Sequence, residues 1–146
     1  MGYLSAYLKQ SGIDTYIVDA LKDNLSLNQI ERIILNYRPD AVGITCLTAF
    51  FYETVEISHL VKKNNIKCII GGVHPTFLPY STIKESNADF VICGEAEIAL
   101  TRLIMSNFVN NNIQGVYSLD NINSDDEPIL TGEIVENLDE LPFPDW

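Results

Sequence analysis

Three continuous apolar runs constrain this chain more than anything else in it: "AVGITCL" (41–47), "KCIIGG" (67–72) and "DFVICG" (89–94). None of them alternates apolar with polar, so each is expected to be a strand buried on both faces. Helix-patterned segments separate them. One covers about 51–63, a short one about 80–86, and a third 96–108, with Ala99, Leu100, Leu103 and Ile104 on one face. This alternation predicts an α/β fold: a Rossmann-like, flavodoxin-like parallel sheet with helices on both faces and right-handed crossovers.

The N-terminal part adds two helices and a short β-rich run. Tyr3, Leu4, Tyr7 and Leu8 recur at helical spacing before Gly12 stops the pattern. "TYIVDA" (15–20) predicts a strand. Ser26 and Gln29 have capping-box spacing and open a helix with Ile30, Ile33, Ile34 and Tyr37 on one face, ended by Pro39. The chain thus enters the pattern on a helix, where such folds ordinarily begin with a central strand. The first strand is missing from the expected set.

After residue 112 the pattern changes. "GVYSL" and "EPILTGEIV" flank an Asn/Asp/Ser-rich stretch at 120–126, which predicts a small hairpin. "LDELPFPDW" carries two prolines and two large apolar residues, Phe143 and Trp146, and is expected to be a linker. The domain expectation is an α/β unit over 1–112, a strand pair over 113–137 and a linker over 138–146. No internal repeat occurs.

The charge balance excludes some partners. With a net charge of −11, the surface repels nucleic acid and anionic lipid. No apolar stretch approaches the ~20 residues of a membrane helix, and "MGYLSAYLKQ" lacks the basic and long apolar regions of a signal peptide. Met1-Gly2 begins like a myristoylation site, but Tyr3-Leu4-Ser5-Ala6 fits it poorly. Cys46, Cys68 and Cys93 are odd in number and far apart, which argues against disulfides and a local zinc site and for a cytoplasmic protein.

In open parallel sheets, ligands bind outside the carboxyl ends of the strands. Three loops qualify: Thr45-Cys46-Leu47-Thr48, Gly71 to Thr76, and Gly94-Glu95-Ala96-Glu97. Gly71-Gly72 suits either a wall that a ligand approaches closely or a tight turn into Pro75. Thr45 and Thr48 can bond a ligand or cap a helix. Glu95 and Glu97 can complement a helix dipole. His74 has no Cys, His or Asp at metal-site spacing, and His59 sits in mid-helix, so no metal site and no catalytic constellation is expected. Gly-x-Ser-x-Gly, Walker and Gly-x-Gly-x-x-Gly motifs are absent, and Asp125-Asp126-Glu127 is a solvated charge run.

Taken in order, "GYLSAYLKQSG", "PDAVGITCLT", "IIGGVHPTFLP", "ADFVICGEAE" and "LDELPFPDW" span nearly the whole chain. Together they resemble the N-terminal cobalamin-binding domain of cobalamin-dependent radical S-adenosylmethionine enzymes, the group of methyltransferases and anaerobic magnesium-protoporphyrin monomethyl ester cyclases. The resemblance implies that this domain binds cobalamin through Thr45, Cys46, Leu47, Thr48, Gly71, Gly72, Val73, His74, Thr76, Gly94 and Glu95. The first loop would lie near the lower face and nucleotide tail, and Gly71-Gly72 would let the tail run close to the backbone.

His74 belongs to a Gly-Gly-x-His-x-Thr turn and is not expected to ligate cobalt. The axial histidine of related domains comes from an Asp-x-His-x-x-Gly loop after the first strand, which is missing here. S-adenosylmethionine and an iron-sulfur cluster are implied only for a separate radical catalytic domain, the expected partner, because Cys-x-x-x-Cys-x-x-Cys is absent from these residues. The competing functions are a cofactor-free interaction remnant of the same fold and a small flavodoxin-like enzyme. Without a central first strand, 15–19 is expected to close beside 41–46 as a sheet of four parallel strands. Self-association through an exposed sheet edge is also expected.

Overall fold

The computed structural model describes residues 1–123, 132, 134–137, 139 and 141–145. The elements run α1 (Gly2–Gln10), α2 (Leu27–Tyr37), β1 (Ala41–Thr45), a 3-10 turn (Thr48–Phe50), α3 (Phe51–Lys63), β2 (Lys67–Gly71), α4 (Val73–Phe77), α5 (Pro79–Ser86), β3 (Phe90–Ile92), α6 (Glu97–Met105) and β4 (Val116–Tyr117). The sheet order is β1-β2-β3-β4. β1, β2 and β3 are parallel, as expected. β4 is antiparallel to β3, so the sheet is mixed rather than wholly parallel.

Side-chain alternation along the strands divides the core into two layers. Cys68, Ile70 and Val91 point to one face, where α2, α3 and α5 contribute Ile30, Ile34, Val61 and Ile83. Ile69, Phe90 and Ile92 point to the other, against Leu8 of α1 and Leu100 and Leu103 of α6. A strand whose two faces both meet helices must be apolar throughout, which explains "CII" and "FVI". Local signals close the helices. The Gln29 side-chain oxygen accepts from the Ser26 N–H at 2.9 Å, and Arg38, just before Pro39, ends α2 in the left-handed region at φ 52°.

Asp89 ties the amino-terminal ends of the strands together. It accepts from the Cys68 N–H at 2.8 Å and from Lys62 Nζ at 2.7 Å, and its own N–H donates to the Cys68 carbonyl at 2.9 Å.

Several expectations are corrected. Residues 15–19 form no strand. Side chains hold this segment instead: Ser5 Oγ lies 2.7 Å from Thr15 Oγ1, Tyr37 donates to Asp14 at 3.1 Å, and Tyr16 stacks on Tyr37 at 5.2 Å. The sheet's fourth strand is therefore β4 and not 15–19. β1 is not buried on both faces, since Gly43 and Thr45 are exposed and its other residues, Ala41, Val42 and Ile44, only half-buried. The Gly71–Thr76 loop is also shorter than expected, because Val73–Phe77 is helical.

"GVYSL" does supply a strand, but it pairs with β3. The second arm of the expected hairpin lies largely outside the described residues, as do Asp125-Asp126-Glu127 and Trp146. In the exit segment Phe143 is 95% exposed. Asp145 returns to α1, with its N–H on the Gly2 carbonyl and its carboxylate on Ser5 and Lys9.

Candidate functional site

The loops after β1, β2 and β3 meet at one edge of the sheet, and hydrogen bonds stitch them to one another. Cys46 N–H donates to the Gly71 carbonyl at 2.8 Å and His74 N–H to the Cys46 carbonyl at 3.2 Å. Thr76 Oγ1 donates to the Gly72 carbonyl at 2.8 Å and accepts from Gly94 N–H at 2.9 Å, joining the second loop to the third. The buried Cys93 thiol reaches the Pro75 carbonyl at 3.3 Å.

Gly72 has φ +106°, and a Cβ there would lie 2.8 Å from the Cys46 carbonyl oxygen. Its glycine requirement thus comes from the neighbouring loop of the protein itself. Gly71 carries no such constraint, as its nearest neighbour would be the Ile92 carbonyl at 3.8 Å.

His74 is buried, at 5% exposure. Its Nδ1 lies 3.1 Å from Thr48 Oγ1, and its ring stacks on Phe51 with centroids 4.3 Å apart. Nε2 has no hydrogen-bond partner among the described residues. Burial, only partly opposed by the Glu85 charge, lowers its pKa and favours the neutral ring. A ring enclosed this way braces the first loop against the second. All three cysteines are buried free thiols. Burial raises Cys46 and pushes Cys68 to about 11 and Cys93 to about 12, so none offers a thiolate near neutrality.

Of the residues expected at the site, Thr45, Leu47, Thr48, Val73, Gly94 and Glu95 are exposed. Gly71, Gly72 and Thr76 are half-buried, while Cys46 and His74 are interior. Glu95 is already engaged: its carboxylate accepts the Val135 N–H at 2.7 Å, and Gly94 lies against Gly132. The sequence reasoning missed an apolar apron along the same edge. Phe50 (39% exposed) and Phe77 (57%) join Leu47 (46%) and Val73 (55%) there. The aromatic run Phe50-Phe51-Tyr52 directly after a strand-end loop was the available signal. Among the described residues no group of three His, Cys, Asp or Glu could hold a metal ion, and no helix is long and apolar enough to cross a membrane.

An α/β sheet whose parallel strand ends carry glycines, hydroxyls and exposed apolar side chains has the edge at which such sheets bind ligands. Residues 1–104 match the B12 binding domain, and the chain belongs to that family.

Among its relatives, an uncharacterized methyltransferase of Pyrococcus horikoshii is 29% identical over 152 residues, covering 100% of this chain and 32% of its own length. The anaerobic magnesium-protoporphyrin IX monomethyl ester cyclase of Rubrivivax gelatinosus is 31% identical over 160 residues, covering 100% of this chain and 28% of its own. The chain thus spans about a third or less of these relatives.

Two solved structures share the fold. The cobalamin-dependent S-adenosylmethionine radical enzyme OxsB, with aqua-cobalamin and S-adenosylmethionine bound, superposes with TM-score 0.79 at 21% identity, over 98% of this chain and 21% of that one. The radical S-adenosylmethionine methyltransferase TsrM of Kitasatospora setae, with cobalamin and a [4Fe-4S] cluster bound, gives 0.71 at 17% identity, over 80% of this chain and 25% of that one.

Proposed function

We propose that this chain holds cobalamin over the carboxyl ends of β1, β2 and β3 and presents it to a radical S-adenosylmethionine catalytic domain. The observation that carries the reading is the apron of Leu47, Phe50, Val73 and Phe77, exposed in the loop after β1 and in α4 after β2, along with the exposed Thr45 and Thr48. A corrinoid brings its own four ring nitrogens to cobalt, so its site needs a flat apolar seat and a few polar contacts rather than a protein metal cluster. The residues present fit that demand.

His74 serves the fold of the loops, because its ring is held by Thr48 and Phe51, and would not be a ligand to a bound corrinoid. Bound cobalamin would supply the carbon–cobalt chemistry of methyl transfer or of a related radical reaction. The chain's own residues would seat the corrinoid on the apolar apron and hold the loops in register. Its relatives' names support a methyltransferase or an oxidative cyclase as the parent activity. The expected location is the cytoplasm, in keeping with three free buried thiols. A cofactor-free interaction domain of the same fold is the second reading.

The test is to mix the chain with hydroxocobalamin, pass it through gel filtration and read the visible spectrum of the protein peak. Co-elution near one corrinoid per chain supports cobalamin binding. A colourless, folded protein peak supports the second reading.

A further inference from the structure

After β4 the chain returns to the strand-end edge and crosses the third loop. Gly132 is buried there, and a Cβ on it would lie 2.5 Å from the Cys93 carbonyl oxygen and 3.3 Å from that of Glu95. Gly115, just before β4, would bring its own Cβ within 2.6 Å of the Gly132 Cα. Three stretches of main chain thus meet at a spacing that no side chain could enter. A little further on the returning segment is fastened, because Val135 N–H donates to Glu95 Oε2 at 2.7 Å.

This fastening reaches the second loop in short steps. Glu95 follows Gly94, whose N–H donates to Thr76 Oγ1 at 2.9 Å. Thr76 Oγ1 donates in turn to the Gly72 carbonyl at 2.8 Å. Thr76 belongs to α4, the helix that carries the exposed Val73 and Phe77. One peptide unit and two hydrogen bonds therefore join the Glu95 carboxylate to the turn that starts α4.

The geometry points to Glu95 as a positioning residue for the corrinoid seat: it fastens the returning segment across the third loop, and this brace holds Gly94, Thr76 and α4 in their binding arrangement. The inference rests on the cobalamin reading above and departs from it at one residue, since Glu95 then acts through Val135 and Gly94 instead of touching the cofactor. Charge favours the same division. The nucleotide tail of cobalamin carries an anionic phosphodiester, and the chain already has a net charge of −11. A carboxylate left free on this edge would repel the tail, whereas one that accepts a main-chain N–H has part of its charge answered. A seat held in place before the ligand arrives loses less freedom on binding.

The experiment uses the full 146-residue chain. Hydroxocobalamin titrations followed by absorbance give the affinities of wild type, Glu95→Ala, Glu95→Gln, Val135→Pro and the double variant Glu95→Ala/Val135→Pro. Amide exchange read by NMR without cobalamin follows the brace itself. Glu95→Ala should speed exchange at Val135 and Gly94 by about tenfold or more, with Cys68 at the far strand ends unchanged. It should weaken cobalamin binding by about fivefold, the worth of one hydrogen bond. Val135→Pro, which removes the donor and leaves Glu95 intact, should weaken binding equally, and the double variant should lose no more than either single one. Glu95→Gln keeps an acceptor oxygen and should recover most of the affinity.

Wild-type affinity in Glu95→Ala overturns the positioning role, and so does faster exchange at Cys68 to the same degree, which would mean general loosening. Weakened binding in Glu95→Ala with full affinity in Val135→Pro would make Glu95 a direct cofactor contact, again overturning it. A wild-type chain that retains no corrinoid would end the cofactor reading itself, and this one with it.

Discussion

The carbonyl oxygen of Cys46 occupies the place where a side chain on Gly72 would begin: a Cβ there would come within 2.8 Å of it. The contact sets the spacing of the first two strand-end loops. The same carbonyl accepts the His74 N–H, so the close approach and the hydrogen bond act as one joint.

Gly72→Ala should therefore destabilise the fold, with strain at φ +106° and a backbone collision together costing about 1–3 kcal/mol. Gly71→Ala has open space and should stay within about 0.5 kcal/mol of wild type. Urea unfolding of the two variants checks the contrast. Equal effects would remove the Cys46 contact as the reason for the glycine pair.

The pH dependence of stability should carry a step from His74. Burial lowers its folded pKa below the ordinary value of about 6.5, so the unfolded chain takes up the proton first. Stability is then unaffected above that value and falls as the pH drops through it toward the folded pKa. His74→Gln, which cannot titrate, should lose this step in pH-resolved thermal unfolding. If cobalamin is bound, His74→Ala should leave the cobalt absorption bands nearly unchanged.

Asp89 behaves with the opposite charge logic. Burial alone would raise its pKa, but hydrogen bonds from Lys62 and the Cys68 N–H, with Lys67 nearby, hold it below the usual carboxylate range. Its contribution is complete above about pH 3.9 and is lost as the pH falls through the lowered folded value. Asp89→Asn should cost about 1–3 kcal/mol at neutral pH, because it removes charge-assisted bonds from a mostly buried junction. The same variant should flatten the acid limb of the stability curve.

Leu47 offers a substitution that spares the fold. It is 46% exposed and belongs to neither core cluster. Leu47→Asp should change stability by less than about 0.5 kcal/mol. It should weaken cobalamin binding by about tenfold, the equivalent of about 1.4 kcal/mol, by placing a carboxylate on the apolar seat. Unchanged affinity in a titration followed by absorbance would move the corrinoid off this edge.

The parts of the fold legible in the sequence are those where burial dictates a period. β2 and β3 read as continuous apolar runs because helices cover both their faces. α2 and α3 read from 3.6-residue spacing and a capping pair. What failed depended on partners. The β-prone "TYIVDA" forms no strand, and "GVYSL" does form one, but against β3, a pairing its own residues do not specify.

α4 was hidden by Gly72 and Pro75, which read as breakers. Pro75 in fact occupies the first turn, where its missing N–H costs nothing. The strand-end loops were legible from topology alone. The Gly72–Cys46 contact and the His74–Phe51 stack were not, since both join residues more than twenty positions apart.

Amide hydrogen exchange of the chain with and without bound cobalamin tests the central claim most directly, because it reports where the cofactor sits. The predicted result is slowed exchange confined to residues 45–48, 71–76 and the Gly94–Glu95 turn, with Gly43 and the 13–18 segment unchanged. Protection centred on Gly43 and the 13–18 segment, or spread evenly over a chain that retains cobalamin, would contradict a cofactor seat at the strand ends.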